Sequence, residues 1–188
     1  RAHEALGEWS EAVTTYDALA AVVDDRPGLY VNRGFAKDQL GNYEDAITDY
    51  DKAIELDSTW ALAYHNKAAA LLAMQRLPQA IEALSQVPKD DTTYYRALMS
   101  RGITHFRNGD KELGLQDLSE AVRIRPADPD VYLQRAGVYH YTGEYERAIA
   151  DCDRALNLKP SFAEALVSRG NAYAELGQDA RAISDYNR

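Results

Sequence analysis

Small and aliphatic residues recur along this chain with a period of 34 residues. Five glycines and one glutamine share one slot of the period: Gly7, Gly41, Gln75, Gly109, Gly143 and Gly177. Five positions after each slot lies a small residue, followed by an aliphatic one, as in Ala46–Ile47 and Ala148–Ile149. Apolar positions on both sides of the slot follow helical spacing. The pattern predicts repeated helix pairs joined by a tight turn, where glycine tolerates a positive φ.

We number the repeat so that the glycine slot is position 15. The first repeat then holds the end of a leading helix, before Gly7, and a second helix from Trp9 to Val22. Later helix pairs are predicted at residues 27–40 with 43–56, 61–74 with 77–87, 93–108 with 111–124, 129–142 with 145–158, and 163–176 with 179–188. Asp128 before Pro129 predicts a helix N-cap, and Ser161-x-x-Glu164 predicts a capping box.

The third repeat and the two ends of the chain depart from this regularity. Pro88 lies where the second helix of the third repeat should continue, so we expect that helix to stop early. Residues 87–93 are then expected to form a longer exposed connection. Neither end shows the polar capping helix that closes natural repeat arrays, which suggests a fragment of a longer array or ends that pair with another chain.

The residues Gly34, Leu40-Gly41, Tyr43, Ala46-Ile47 and Tyr50 resemble the tetratricopeptide repeat family, as do Gly170, Tyr173 and Leu176-Gly177. Pro126 and Pro160 match the proline near position 32 of that family, whereas Asp24, Ser58 and Thr92 replace it elsewhere. The resemblance implies an all-α fold, a right-handed superhelical solenoid of antiparallel helix pairs. It implies a single array over residues 1–188, with repeats at 1–26 (partial), 27–60, 61–94, 95–128, 129–162 and 163–188 (partial).

Composition narrows the possible partners. The 188 residues are 46% hydrophobic and carry a formal net charge of −9. An acidic chain argues against nucleic-acid binding, which needs Lys and Arg to replace counterions on phosphates. No apolar run approaches the ~20 residues that span a bilayer, so we expect no membrane insertion. One cysteine, Cys152, cannot form a disulfide within the chain.

Basic residues occupy position 7 of five repeats: Arg33, Lys67, Arg101, Arg135 and Arg169. Position 23 of the same repeats holds Asp49, Ala83, Asp117, Asp151 and Asp185. Both positions lie eight residues from the turn, hence at equal heights, roughly 12 Å from it at 1.5 Å per residue. The repeat without Asp is also the one with Lys, which favours structural Arg–Asp pairs over an anion-binding surface.

In the tetratricopeptide repeat family, positions 2, 5, 6, 9, 12 and 13 of the leading helices line a concave groove. The groove residues implied for peptide binding are Asn32, Phe35, His65, Asn66, Leu72, Arg96, Met99, Ser100, Ile103, Phe106, Gln134, Tyr141 and Asn171. Position 6 is always able to hydrogen-bond: Asn32, Asn66, Ser100, Gln134 and Ser168. Such side chains can bind the backbone amides of an extended peptide, and the apolar residues near them can hold its side chains. The alternative is that these apolar residues only pack against neighbouring helices.

More specific sites are not supported. A carboxylate clamp for chaperone C-termini would match Asn66 and Arg96 but not Val31, Phe35 or Ser100. The four histidines show no ligand spacing with Cys152, so no metal site is expected. No nucleophile or phosphate-loop motif occurs, so we expect neither a cofactor nor catalysis.

The sequence therefore predicts a protein–protein interaction scaffold that holds a peptide or protein segment in its groove. Two alternatives stay open. The chain could be the non-catalytic repeat arm of a larger enzyme, such as a glycosyltransferase, or a module that self-associates through its uncapped ends.

Overall fold

The computed structural model describes residues 2–188, with side chains from residue 7 onward. Over this range the chain forms eleven α-helices and no β-strand, which confirms the predicted all-α fold. The helices are α1 Ala2–Ala20, α2 Pro27–Gln39, α3 Tyr43–Leu56, α4 Ala61–Ala73, α5 Leu77–Ser85, α6 Tyr94–Arg107, α7 Lys111–Ile124, α8 Pro129–Tyr141, α9 Tyr145–Leu158, α10 Ala163–Glu175 and α11 Asp179–Tyr186.

Each turn at repeat position 15 has a left-handed residue. Gly41, Gly109, Gly143 and Gly177 have φ between 70° and 96°, and Gln75 adopts 59° in the same slot. The amide of the following residue donates to the carbonyl five residues back, at 2.9 Å for Asn42 to Lys37 and 2.9 Å for Arg76 to Leu71. Because these hydrogen bonds satisfy carbonyls at the helix end, glutamine closes the turn as glycine does.

Small residues let paired helices approach closely. Ala46, Ala80 and Ala148, at position 20, are at most 1% exposed. A Cβ built on Gly34 would lie 2.7 Å from the Tyr50 ring, so only glycine leaves room for that ring. Apolar side chains of the two helices and of the next leading helix fill the space around these residues.

The chain divides into two compact units, one that runs to Ala97 and one from Leu98 to Arg188. In the N-terminal unit, α2 packs on α1 and α3, and α4 packs on α3 and α5. In the C-terminal unit, α8 packs on α7 and α9, and α10 packs on α9 and α11. Each unit thus buries the apolar face of a helix pair against the pair next to it.

The predicted break at Gly7 is wrong. Gly7 lies inside α1, which continues to Ala20. Residues 2–6 are too few to form a helix that buries a face of its own, so the backbone keeps the hydrogen bonds of one continuous helix.

The third repeat is irregular, as predicted from Pro88. Its second helix, α5, has nine residues, whereas α3, α7 and α9 have fourteen each. The connection to α6 is less exposed than predicted, because Val87 is only 2% exposed and packs in a cluster with Leu84 and Ala97.

One of the two predicted caps is confirmed. Asp128 is the N-cap of α8, and its carboxylate accepts a hydrogen bond from the Asp130 amide at 3.0 Å. The capping box at Ser161 is wrong, because Phe162 is the N-cap of α10 and no side chain caps it. Phe162 is 4% exposed, so burial of its ring sets where that helix begins.

Candidate functional site

The position-7 arginines all lie against the aspartate at position 23 of their own repeat. Their Nε atoms donate to the carboxylates at 2.9 Å for Arg33, 2.7 Å for Arg101, 2.8 Å for Arg135 and 2.7 Å for Arg169. In each pair a terminal guanidinium nitrogen donates to the other carboxylate oxygen. The four aspartates are 2–8% exposed, so these are two-pronged ion pairs with a buried anion.

The same guanidinium groups also reach the preceding repeat. Nη1 of Arg33 binds Asp17 at 2.9 Å, Nη1 of Arg135 binds Ser119 at 3.2 Å, and Arg169 binds Asp153 at 2.5 Å. Hydrogen bonds that the guanidiniums donate to the carboxylates raise the pKa of Arg33, Arg135 and Arg169. Three of the five N–H donors of each of these guanidiniums are therefore already bound within the chain.

The side chains at repeat position 6 differ from the paired arginines in their exposure and hydrogen bonding. Asn32 is exposed, and Asn66, Ser100, Gln134 and Ser168 are partly exposed. Within residues 7–188 none of these five side chains makes a hydrogen bond to another protein group. Their amides and hydroxyls therefore face solvent with donors and acceptors to offer.

Other predicted groove residues of the N-terminal unit are partly engaged. Phe35 is 41% exposed, and its ring meets the edge of Trp9 at 5.6 Å between centroids. His65 Nε2 lies 3.1 Å from the Thr93 hydroxyl, and burial lowers the pKa of this imidazole. Arg96 donates to the Tyr95 hydroxyl. Leu72 packs against the core around Leu71 and Leu84, so it follows the alternative that we gave for the apolar groove residues.

The C-terminal unit brings together an aromatic pair. Phe106 and Tyr141 meet edge to face at 5.2 Å, and Tyr141 is 79% exposed. Met99 and Ile103 on α6 are half-buried. Asn171 accepts a hydrogen bond from the Tyr186 hydroxyl at 2.8 Å, which removes part of its capacity for a peptide.

A cavity of about 370 Å³ in the N-terminal unit includes His65, one of the residues predicted to bind a peptide, and others outside that predicted set. Trp60 and Leu62 form apolar walls, and Asp57 and Asp91 lie at its edge. Thr59 and Thr93 donate their amides and hydroxyls to these carboxylates, which lowers the pKa of both aspartates. The sequence pattern that marks them is Asp-x-Thr at Asp57–Thr59 and again at Asp91–Thr93, 34 residues later.

The described residues were also compared with the requirements of a reactive thiol, a metal site and a membrane-spanning helix. Cys152 is fully buried, and burial raises the pKa of its thiol to about 12, so the thiol is protonated at neutral pH. Among the described residues no group of three His, Cys, Asp or Glu side chains could hold a metal ion. None of the helices described is long and apolar enough to cross a bilayer.

Comparisons with known proteins agree with this architecture. A family model described as "TPR repeat" matches residues 37–75 and 137–177, and models described as "Tetratricopeptide repeat" match residues 65–129 and 1–30. No curated protein sequence matches the chain.

Several solved structures share the fold. The MamA protein is 24% identical with a TM-score of 0.72, over 88% of this chain and 90% of that one. YrrB, described as a TPR protein with an unusual peptide-binding site, is 20% identical with a TM-score of 0.68, over 93% and 90%. A tetratricopeptide repeat protein from Parabacteroides merdae is 17% identical with a TM-score of 0.79, over 95% and 71%.

Proposed function

The chain belongs to the tetratricopeptide repeat family, and on that premise we propose that it binds an extended polypeptide segment along its leading helices. The fold and its relatives support a protein-interaction scaffold in general terms, and proteins of this family are typically non-catalytic. That a peptide binds along the leading helices is a more specific proposal than a general interaction scaffold. We propose one such surface on each compact unit, formed by the position-6 side chains of that unit.

The observation that carries the proposal is the contrast between repeat positions 6 and 7. At position 7 the arginines are held by buried aspartates. At repeat position 6, the side chains of Asn66 and Gln134 make no hydrogen bond to another group within residues 7–188. An amide side chain offers both a donor and an acceptor, which matches the C=O and N–H of a peptide backbone. A repeated amide on a rigid helix therefore suits a backbone that is also periodic.

Aromatic side chains lie on the same helices as these amides. Phe35 shares α2 with Asn32 in the N-terminal unit, and Tyr141 shares α8 with Gln134 in the C-terminal unit. Both rings are more than a third exposed. Exposed aromatic rings supply a large contact area at low entropic cost, so these two rings are the groups that contact the side chains of the bound segment.

Peptides selected from a random displayed library against the whole chain would test this proposal. We expect Asn66→Ala to raise the dissociation constants of peptides bound by the N-terminal unit by about two- to tenfold, and Gln134→Ala to do the same for peptides bound by the C-terminal unit. The reason is that one net hydrogen bond contributes about 0.5–1.5 kcal/mol. Fluorescence polarisation measures the affinities. The loss should be similar for peptides of unrelated sequence, since the amides contact backbone. Tyr141→Ala should instead affect only peptides with a large apolar residue.

The matched control is Asn157→Ala, which removes an exposed amide from α9, a second helix of its pair. It should leave both affinity and helical circular dichroism unchanged. If the double variant Asn66→Ala, Gln134→Ala binds every selected peptide as tightly as the wild type, the binding site lies elsewhere and the proposal fails.

A further inference from the structure

The series of Arg–Asp pairs is interrupted once, in the third repeat. There position 7 is Lys67 and position 23 is Ala83. Lys67 Nζ binds Asp51 of the preceding repeat at 2.5 Å, as Arg33 binds Asp17 and Arg169 binds Asp153. Unlike Arg33 and Arg169, Lys67 binds no carboxylate of its own repeat, where position 23 is Ala83.

A cavity of about 450 Å³ opens where that carboxylate is missing, between α3, α4 and α5. Its apolar lining includes Ile47, Ile54, Leu71 and Ala83. Lys67 and Arg76 are the cations of the lining, and Asp51 and Glu82 are the anions. The cavity shares no lining residue with the pocket at His65, nor with the position-6 surface of the proposed function.

Two pairs elsewhere in the chain show what this arrangement can hold. Arg33 binds the carboxylates of both Asp17 and Asp49, and Arg169 binds those of Asp153 and Asp185. The cation at position 7 thus accommodates two carboxylates, one from each side. Lys67 has only the one from the preceding repeat, and 27% of its side chain is exposed.

We propose that this cavity is a second binding site, which takes the glutamate side chain of a partner polypeptide as the missing carboxylate of the third repeat. The carboxylate binds Lys67 Nζ on the side of Ala83, and the two methylenes lie on Leu71 and Ile54. A glutamate suits this site because its two methylenes can pack on Ile54 and Leu71 of the lining while its carboxylate reaches Lys67. Asp51 keeps its place, so the incoming carboxylate becomes a second anion on Lys67, as Asp49 is on Arg33.

Arg76 assists the entry of an anion. Within the described chain its ion-pair partner is Glu44 at 3.4 Å, and both side chains are largely exposed, so this pair is weak. The guanidinium can turn from Glu44 towards an incoming carboxylate at little cost. Glu82 opposes the anion, which limits the isolated interaction to the millimolar range and makes the site a secondary contact of a larger interface.

The probe is N-acetylglutamate N-methylamide, titrated into the ¹⁵N-labelled whole chain and followed by ¹H–¹⁵N spectra. We expect saturable shifts at the amides of Lys67, Leu71 and Ala83, with a dissociation constant in the millimolar range. The neutral glutamine analogue should produce no saturable shift there. Equal responses to the two probes would show apolar contact without carboxylate recognition and would overturn the proposal, as would no response to either.

Ala83→Asp is the decisive variant, because it supplies the carboxylate within the chain. It should weaken probe binding at least tenfold, as should Lys67→Met. Ala150→Asp, which adds the same charge at an exposed position of α9, is the matched control and should bind the probe like the wild type. Unchanged binding in Ala83→Asp contradicts the proposed site. If neither variant folds, the comparison of the two probes on the wild type still decides the question. Asn66→Ala should leave this titration unaffected, so failure here and failure of the groove proposal are distinguishable.

Discussion

A buried carboxylate decides how much each Arg–Asp pair matters for stability. Asp151 is 6% exposed and is bound by Arg135 through two hydrogen bonds of 2.8 Å. Taking a carboxylate out of water is costly unless a cation and hydrogen bonds compensate it. The pair as a whole contributes a modest net free energy, but either partner alone would be left in an unfavourable environment.

We expect Arg135→Met to lower the free energy of unfolding by about 3–5 kcal/mol, because it leaves the Asp151 carboxylate buried without its cation. Urea denaturation followed by circular dichroism measures the change. Arg123→Met is the matched control, since Arg123 pairs with Glu120 on the surface and is 73% exposed. That variant should leave the free energy of unfolding nearly unchanged, because an exposed ion pair is screened by solvent. Adding Asp151→Leu to Arg135→Met should restore much of the loss, and equal effects of the two single variants would contradict this account.

Side-chain partners were predictable from the sequence only where two positions vary together. Lys67 and Ala83 depart from the pattern in the same repeat, which tied positions 7 and 23 to each other. The hydrogen bond from Tyr186 to Asn171 and the contact of His65 with Thr93 have no such signature. They depend on rotamers and on the geometry of a connection, which the 34-residue period does not encode.

At the scale of helices, close approach between α6 and α7 depends on two glycines that face each other. A Cβ on Gly102 would lie 2.8 Å from the Gly114 carbonyl oxygen and 2.9 Å from Leu118 Cγ. Because the first of these atoms belongs to the backbone, an added methyl group has to push the helices apart.

Gly102→Ala should therefore destabilise the protein by about 1–3 kcal/mol, as overpacking does. Gly137→Ala, in the exposed middle of α8, meets nothing within 4 Å and should stabilise it by about 0.5–1 kcal/mol through lower unfolded-state entropy. Urea denaturation of the two variants beside the wild type gives both values. Stabilisation by both substitutions would show that helix propensity, and not helix spacing, governs position 8.

Helix ends were predictable where backbone chemistry alone sets them. Pro88 lacks an amide hydrogen and shortens α5, and the left-handed turns fall at every predicted slot from Gly41 to Gly177. The predictions at Gly7 and Ser161 failed for different reasons. Gly7 lies within the continuous backbone hydrogen bonding of α1, whereas α10 begins after the buried Phe162.

For the whole molecule, an unbroken 34-residue period predicted one array, and the structure adds a division into two compact units at Ala97. The 34-residue period predicts the repeated helix pair, but it does not predict where one compact unit ends and the next begins. The irregular third repeat, with its nine-residue α5, comes directly before that division. The identity of the partner could not be predicted from the sequence for another reason. A side-chain amide that binds peptide backbone meets the same C=O and N–H groups in every polypeptide.

The electrostatics of the whole chain lead to a last prediction about partner class. Thirty acidic residues outnumber twenty-one basic ones, and the arginines that form the most regular basic series are already bound to aspartates. Phosphate binding would require breaking these pairs or drawing DNA to an acidic surface. We therefore expect no polarisation change when the chain is added to a labelled DNA duplex, even at about 20 mM salt, where electrostatic attraction is strongest.

The peptide selected for the proposed function serves as positive control on the same preparation, so a silent DNA titration cannot be blamed on misfolded protein. Binding that weakens linearly with the logarithm of salt concentration would reveal a basic face and contradict the prediction. Absence of binding together with an intact peptide response would leave polypeptides as the partner class, because their backbones need hydrogen-bonding amides and no excess of positive charge. The unpaired position-6 side chains meet that requirement, whereas the paired arginines at position 7 do not meet the one that DNA imposes.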